Sequence, residues 1–205
     1  MNGRFIMKDF FDALSSKEPT PGGGGASALV AAVSCSLCSM VSNLTTGKKK
    51  YAQYQDKIDE YLVLLKEKNE LLQADIEKDA KAFAPLAKAY SLDKSTEGYE
   101  DIMEKALFDA ATAPKEILED IYSLVPVIED LAIMGSRLAI SDVAVAAACL
   151  EAAMKGCVLN VYINTRSMKN KDTAQKMNAY VKEIVSDGSK RMQKVYADIE
   201  SMLIS

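Results

Sequence analysis

Nine residues, Pro19-Thr20-Pro21-Gly22-Gly23-Gly24-Gly25-Ala26-Ser27, open a stretch that carries no charge until Lys48. No other feature limits the chain as tightly. Glycine loses more backbone freedom on folding than any other residue, so four in succession are costly to order. The two prolines stiffen the approach to them. The Ala, Ser, Val, Leu, Cys and Met residues that follow predict a buried helix from about Ala26 to Thr46, ended by Gly47. A glycine loop opening such a helix would present free N–H groups and the positive end of the helix dipole. Bare glycines would let an anion or a polar heterocycle reach the main chain. The plainer alternative is that the glycines only end one helix and begin the next.

At 205 residues, half of them apolar, the chain suits one domain over 1–205 with a sizeable core. A net charge of −4 gives no general basic field for nucleic acid. Histidine is absent, which removes Ser-His-Asp and Cys-His catalysis and His-based zinc sites together. Acid–base chemistry then falls to Asp, Glu, Lys, Tyr, Cys or the substrate. Cys35 and Cys38 form a C-x-x-C, but inside an Ala/Ser-rich helix and without the strand–turn–helix setting of a redox site. They read as small buried hydrophobes, and a reducing cytoplasm fits. No secretion signal opens the chain. Ala26–Thr46 is long enough to cross a bilayer, but its serines and Asn43 favour a buried soluble helix, so no membrane partner is expected.

The rest of the chain predicts helices and no strand. Phe5, Ile6, Phe10, Phe11 and Leu14 mark a short amphipathic helix. A helical pattern runs from Tyr51 to about Tyr90, with Pro85 expected to kink or split it. Ser91–Glu97 is a polar connection. A further pattern runs from Gly98 to about Ala132, with Pro114 and Pro126 as boundaries or kinks, and Gly135 ends it. Ser141 or Asp142 is the expected N-cap of a second Ala-rich helix, Val143–Asn164, which should pack on the first. A last helix covers about Asp172 to Leu203, with Gly188 as a weak point.

Three groups stand out as chemistry. Asp79 is followed by Ala80, Ala82, Phe83 and Ala84, and a carboxylate against such a surface can serve as a proton-transfer group. Asn160 and Asn164 share one helix face, either bracing helices or meeting a polar ligand. Lys48, Lys49 and Lys50 follow a helix end, as a solvated cap or an anion site.

Taken in order, the blocks Pro21-Gly22-Gly23-Gly24-Gly25 with Ala28-Leu29, Met40-Val41, Leu44-Thr45, Gly47-Lys48-Lys49-Lys50-Tyr51, Asp79-Ala80-Lys81-Ala82-Phe83, Ala113-Pro114, Gly135 through Ser141-Asp142, and Asn160-Val161 with Ile163-Asn164 are specific. With them the chain resembles the formiminotetrahydrofolate cyclodeaminase and methenyltetrahydrofolate cyclohydrolase family over nearly its whole length. The resemblance implies an all-α multihelical bundle with long helices, a homodimer, and a folate site near the dimer groove. It places Asp79 where the family has its catalytic aspartate. Gly25 stands where many cyclodeaminases carry serine, and the four-glycine form is more like the stand-alone bacterial cyclohydrolases. Ser136 stands where the family often has asparagine. The transferase domain of the animal cyclodeaminase has no counterpart here.

The expected reaction is hydrolysis of 5,10-methenyltetrahydrofolate to the 10-formyl product. Cyclodeaminase chemistry, with N10 attacking a formimino carbon and ammonia leaving, is the first alternative; a non-catalytic helical folate-binding or scaffold protein is the second. No cofactor or metal is expected, since the tetrahydrofolate derivative is itself the substrate. Gly22, Gly23, Gly24 and Gly25 are assigned to pterin or glutamate oxygens, Lys48 to the glutamate tail (which could be polyglutamylated), and Asn160 and Asn164 to pterin edges. Arg137 and Asp142, from the same blocks, complete the candidate binding residues.

Overall fold

Two uncharged or nearly uncharged helices pair at the centre, and the more polar helices wrap them. The computed structural model describes residues 7–205, so the expectations on Phe5 and Ile6 lie outside the described residues. The order is α1 Met7–Leu14, α2 Gly23–Thr45, α3 Gln55–Tyr90, α4 Tyr99–Tyr122, α5 Val125–Met134, α6 Ile140–Thr165 and α7 Lys171–Ile204. Short 3-10 turns, Lys49–Tyr54 and Arg137–Ala139, precede α3 and α6. No strand occurs among the described residues, so the fold is the all-α bundle the periodicities predict.

Small residues let α2 and α6 approach closely. Ser34 Oγ donates to the Ala146 carbonyl at 2.7 Å, and Gly156 leaves room for Ser27, which fixes the pair as antiparallel. The other face of α2 packs along α3, where Asn69 Nδ2 reaches the Ala32 carbonyl at 3.2 Å. Then α4 lies on α3 and α6, and α7 closes the far side of α6. Leu118, Ile121, Leu124, Ile128, Leu131 and Leu150 are wholly buried within this arrangement. Each contributes about 1.5–3 kcal/mol of transfer free energy. Cys35 and Cys38 are free thiols in the core, raised by burial, and not a redox pair at a surface. By length and hydropathy α2 would span a membrane, yet 56% of its most apolar window is buried inside the protein.

Several boundaries differ from the sequence expectations. Gly23–Gly25 do not form a loop; they are the first turn of α2, with Gly22 as its N-cap. Pro85 sits inside α3 without splitting it, one turn from the end, where the carbonyl it frees belongs to the exposed Lys81. Pro114 sits inside α4. It lacks the N–H that would reach the Ala110 carbonyl, and Asn164 Nδ2 from α6 takes that carbonyl at 2.9 Å. Pro126 stands in the first turn of α5, where its missing N–H costs nothing. Ser141 and Asp142 do not cap α6. The 3-10 turn runs straight into the helix, so both lie within its first turn. Asn170 caps α7, accepting from the Thr173 N–H at 3.0 Å. Gly188 does not interrupt that helix, because Met154 and Tyr122 pack into the space its missing side chain leaves.

Candidate active site

Asp79 reaches from α3 to the start of α2. Gly25 N–H, one of the free donors of that helix end, donates to Asp79 Oδ2 at 3.0 Å. Gly22 has no side chain to do this capping, so a carboxyl from another helix supplies the acceptor. A Cβ on Gly24 would collide with the Asp79 carboxyl, and one on Gly23 would come within 3.0 Å of Asn160 Nδ2. The glycines are therefore bare because two side chains lie against their main chain. Gly25 differs: a Cβ there would meet Pro21 and Ile76 at 3.5 and 3.6 Å, ordinary contact distances.

These residues border a pocket of about 200 Å³, walled by Gly22, Gly23, Asp79, Phe83, Asn160 and Asn164. Asn160 Nδ2 donates to the Gly156 carbonyl at 2.8 Å, and Asn164 Nδ2 to those of Ala110 and Asn160, each at 2.9 Å. The amide donors thus brace α6 and α4 while the side chains still line the pocket. Of the two readings left open by the sequence, the bracing of helices is the one observed. Burial raises the Asp79 carboxyl above its ordinary value, and the Gly25 N–H pulls the other way. Its Oδ1 accepts no hydrogen bond among the described residues, so the pocket holds a carboxylate anchored by one oxygen with the other available for proton exchange.

The remaining sequence candidates are elsewhere. Gly23 and Thr45 stand at opposite ends of α2, about 33 Å apart at 1.5 Å per residue. Lys48, Arg137 and Asp142 belong to the Thr45 end. There Lys48 Nζ lies 3.5 Å from Ser136 Oγ, and the Ser136 N–H is held by Thr45 Oγ1 at 2.8 Å. The Arg137 N–H donates to the Tyr51 hydroxyl at 2.9 Å. That bond, with Ser136, Lys50 and Lys48 nearby, lowers the Tyr51 phenol below its ordinary value. Asp142 follows in the first turn of α6. Within one chain this cationic cluster lies at the opposite end of α2 from Asp79.

Sequence reasoning passed over Tyr51, whose signal was its place directly after three lysines. It also passed over Asp75, one turn before Asp79 and 1% exposed. Larger grooves exist on the outer face of α2 and α3. One of about 600 Å³ is lined by Ser36, Asn43, Lys66 and Glu70, and one of about 440 Å³ by Leu29, Val33, Leu37 and Met40. Lys66 and Glu70 there are exposed, and neither groove sets a carboxyl against the bare backbone of a helix start as the smaller pocket does.

Comparison with known proteins agrees along the whole chain. Residues 6–183 match the family model described as formiminotransferase-cyclodeaminase. A methenyltetrahydrofolate cyclohydrolase of Methylorubrum extorquens is 29% identical over 98% of this chain and 99% of its own. The formimidoyltransferase-cyclodeaminase of Mus musculus is 26% identical over 95% of this chain, which spans 37% of that longer protein. The crystal structure of a formiminotetrahydrofolate cyclodeaminase from Thermotoga maritima superposes with a TM-score of 0.83 at 28% identity, covering 96% of this chain and 98% of that one.

Proposed function

Since the chain belongs to the formiminotransferase-cyclodeaminase family, we propose that it is a folate one-carbon enzyme hydrolysing 5,10-methenyltetrahydrofolate to 10-formyltetrahydrofolate. The observation that carries the reading is Asp79 held against the bare Gly24–Gly25 backbone in a pocket with two asparagines. The substrate carries a cationic amidinium carbon between N5 and N10. Ionised Asp79 stabilises that cation and accepts a proton as water adds, giving the carbinolamine. It returns the proton to N5 as the carbon–N5 bond breaks. The hydroxyl proton leaves to solvent as the 10-formyl carbonyl forms. Asn160, Asn164 and the glycine main chain hold the pterin edge. A pocket of about 200 Å³ is smaller than those that bury a drug-sized ligand, so the rest of the folate extends beyond it.

The cationic cluster joins the site through a second copy of the chain. An antiparallel pairing across the outer face of α2, where Val33, Met40 and Leu44 are exposed, would bring one chain's Lys48, Tyr51 and Arg137 over its partner's Asp79. The exposed apolar face is what supports a homodimer with two shared sites, the lysines meeting the glutamate tail of the folate. Four free thiols suit a reducing cytoplasm.

The test is spectrophotometric. Purified protein should accelerate the loss of 5,10-methenyltetrahydrofolate absorbance and release no ammonia from 5-formiminotetrahydrofolate. Cyclodeaminase chemistry is the second reading, favoured by the Thermotoga maritima structure of matching length; methenyl formation with ammonia release would establish it instead. Inactivity on both, with folate still bound, would leave a binding protein. Unchanged folate affinity in Lys48→Ala and Asn160→Ala proteins would remove the binding assignments.

A further inference from the structure

Asp75 on α3 is 1% exposed, and neither of its carboxyl oxygens accepts a hydrogen bond from any described residue. Side-chain groups this dry almost always have a partner. Among the described residues one cation comes within 4 Å: Lys78, whose Nζ is 3.8 Å from Asp75 Oδ1. That ammonium is engaged elsewhere, with Glu116 Oε2 on α4 at 2.8 Å. Lys68, further back on α3, pairs with Asp120 on α4 at 2.9 Å. Two lysines thus match two α4 carboxylates, and Asp75 is a third acid with no cation of its own. The other elements packed around it offer none. Cys157 on α6 feels Asp75, and burial pushes its thiol up to about 12. The packed face of α2 brings no ionisable side chain other than cysteine. Asp79, one turn on, is turned to the Gly25 N–H. Burial pushes the Asp75 carboxyl up to about 6; Lys78 and Lys68 oppose the rise, and Asp120 and Glu116 add to it.

We propose that Lys78 changes partner with the protonation state of Asp75: it ties α3 to Glu116 on α4 while Asp75 is neutral, and folds back onto Asp75 once that carboxyl gives its proton to solvent. The two acceptors compete on unequal terms. Glu116 is half-exposed, so water replaces the ammonium when it leaves, and exposed ion pairs are weak. Asp75 is dry, and a charge there has no water to turn to. Lys78 is half-exposed on a flexible stem, and closing 3.8 Å to hydrogen-bond length takes about 1 Å. Asp75 and Lys78 are three residues apart, so the new pair lies within α3 and ties nothing to α4. Lys68–Asp120 is then the one ion pair left between the two helices among the described residues. The released turn adjoins the pocket, which Asp79 and Phe83 line from α3 and Ala110 from α4. The exchange does not depend on the reaction proposed above.

NMR of the full chain, labelled with carbon-13 and nitrogen-15, tests the exchange without any substrate. Cross-peaks between the Lys78 ε-protons and the Glu116 γ-protons should be strong at about pH 5 and fall several-fold by about pH 7.5, while those from Lys78 to the Asp75 β-protons grow. The Asp75 carboxyl carbon should titrate between the two. Its midpoint should rise by about one pH unit in Lys78→Met and fall in Glu116→Gln, where the rival acceptor has lost its charge. In Asp75→Asn, which cannot ionise, Lys78 should stay on Glu116 at both pH values. Lys78–Glu116 cross-peaks of equal strength at both pH values in the unsubstituted protein would overturn the proposal. So would an Asp75 carboxyl that does not titrate in this range, or a midpoint unmoved in Lys78→Met. If Asp75→Asn does not fold, the unsubstituted protein and the two variants at the half-exposed positions decide.

Discussion

Asp79 accepts the Gly25 N–H and is proposed to exchange protons with substrate, and one substitution separates the two. Asparagine keeps an acceptor for the Gly25 N–H but cannot take a proton. Asp79→Asn should therefore cut turnover on methenyltetrahydrofolate by about 10²–10⁴-fold with little change in thermal midpoint; unchanged turnover would exclude the mechanism. The glycines give a matched pair. Gly24→Ala puts a methyl into the Asp79 carboxyl, and Gly25→Ala puts one into open contact. The first should lose about 1–3 kcal/mol in denaturant unfolding as well as activity, the second little of either. Asp75 gives a pH signature. Its folded carboxyl, raised to about 6, still holds a proton over a range where the unfolded chain has lost it. Stability therefore falls as pH rises from about 4 to about 6. Asp75→Asn removes that fall, so the stability difference between the two proteins should change by about 2.4 kcal/mol between pH 4 and pH 7.5, in favour of the variant at the higher pH.

At the scale of helices, the proline in α4 and the asparagine in α6 make a single unit. Pro114 removes a donor, the Ala110 carbonyl is left over, and Asn164 takes it. Asn164→Ala should cost about 1–3 kcal/mol because a buried carbonyl loses its partner. In a Pro114→Ala background the helix supplies its own donor, so the same change should cost less. A double-mutant cycle by urea unfolding would read the difference, and additive values would refute the coupling. The sequence could not announce this unit. Pro114 reads as a boundary because the rule for helix interiors knows nothing of an amide arriving from a helix fifty residues on. The glycine run misleads for a similar reason: nothing within four residues caps it, and its acceptor is Asp79 on α3. Legible elements were those fixed by their own pattern: α3 by its long helical periodicity, α2 and α6 by their small, mostly uncharged composition, and the start of α5 by Pro126.

For the whole molecule, only some of the candidate residues meet. Gly22, Gly23, Asp79, Asn160 and Asn164 converge on one pocket, whereas Lys48, Arg137 and Asp142 lie a helix length away. Linear order carries no record of which end of a helix a residue will share with a distant one. The separation makes a prediction about assembly. Sedimentation velocity should give a dimer at micromolar concentration. Mixing inactive Asp79→Asn with impaired Lys48→Ala protein should restore part of the activity, because one of the two shared sites in each mixed dimer is then intact. No recovery after verified subunit exchange would confine the site to one chain.

The hydrogen bond from Gly25 to Asp79 has one more consequence. The group proposed to exchange protons with substrate is also the clasp on the first turn of the central helix. Each time it takes up a proton, its grip on that turn weakens. Amide exchange at Gly25 would then act as an internal clock for the chemistry, slow while the carboxylate is charged and faster as it is neutralised, readable at one backbone position with no label on the substrate.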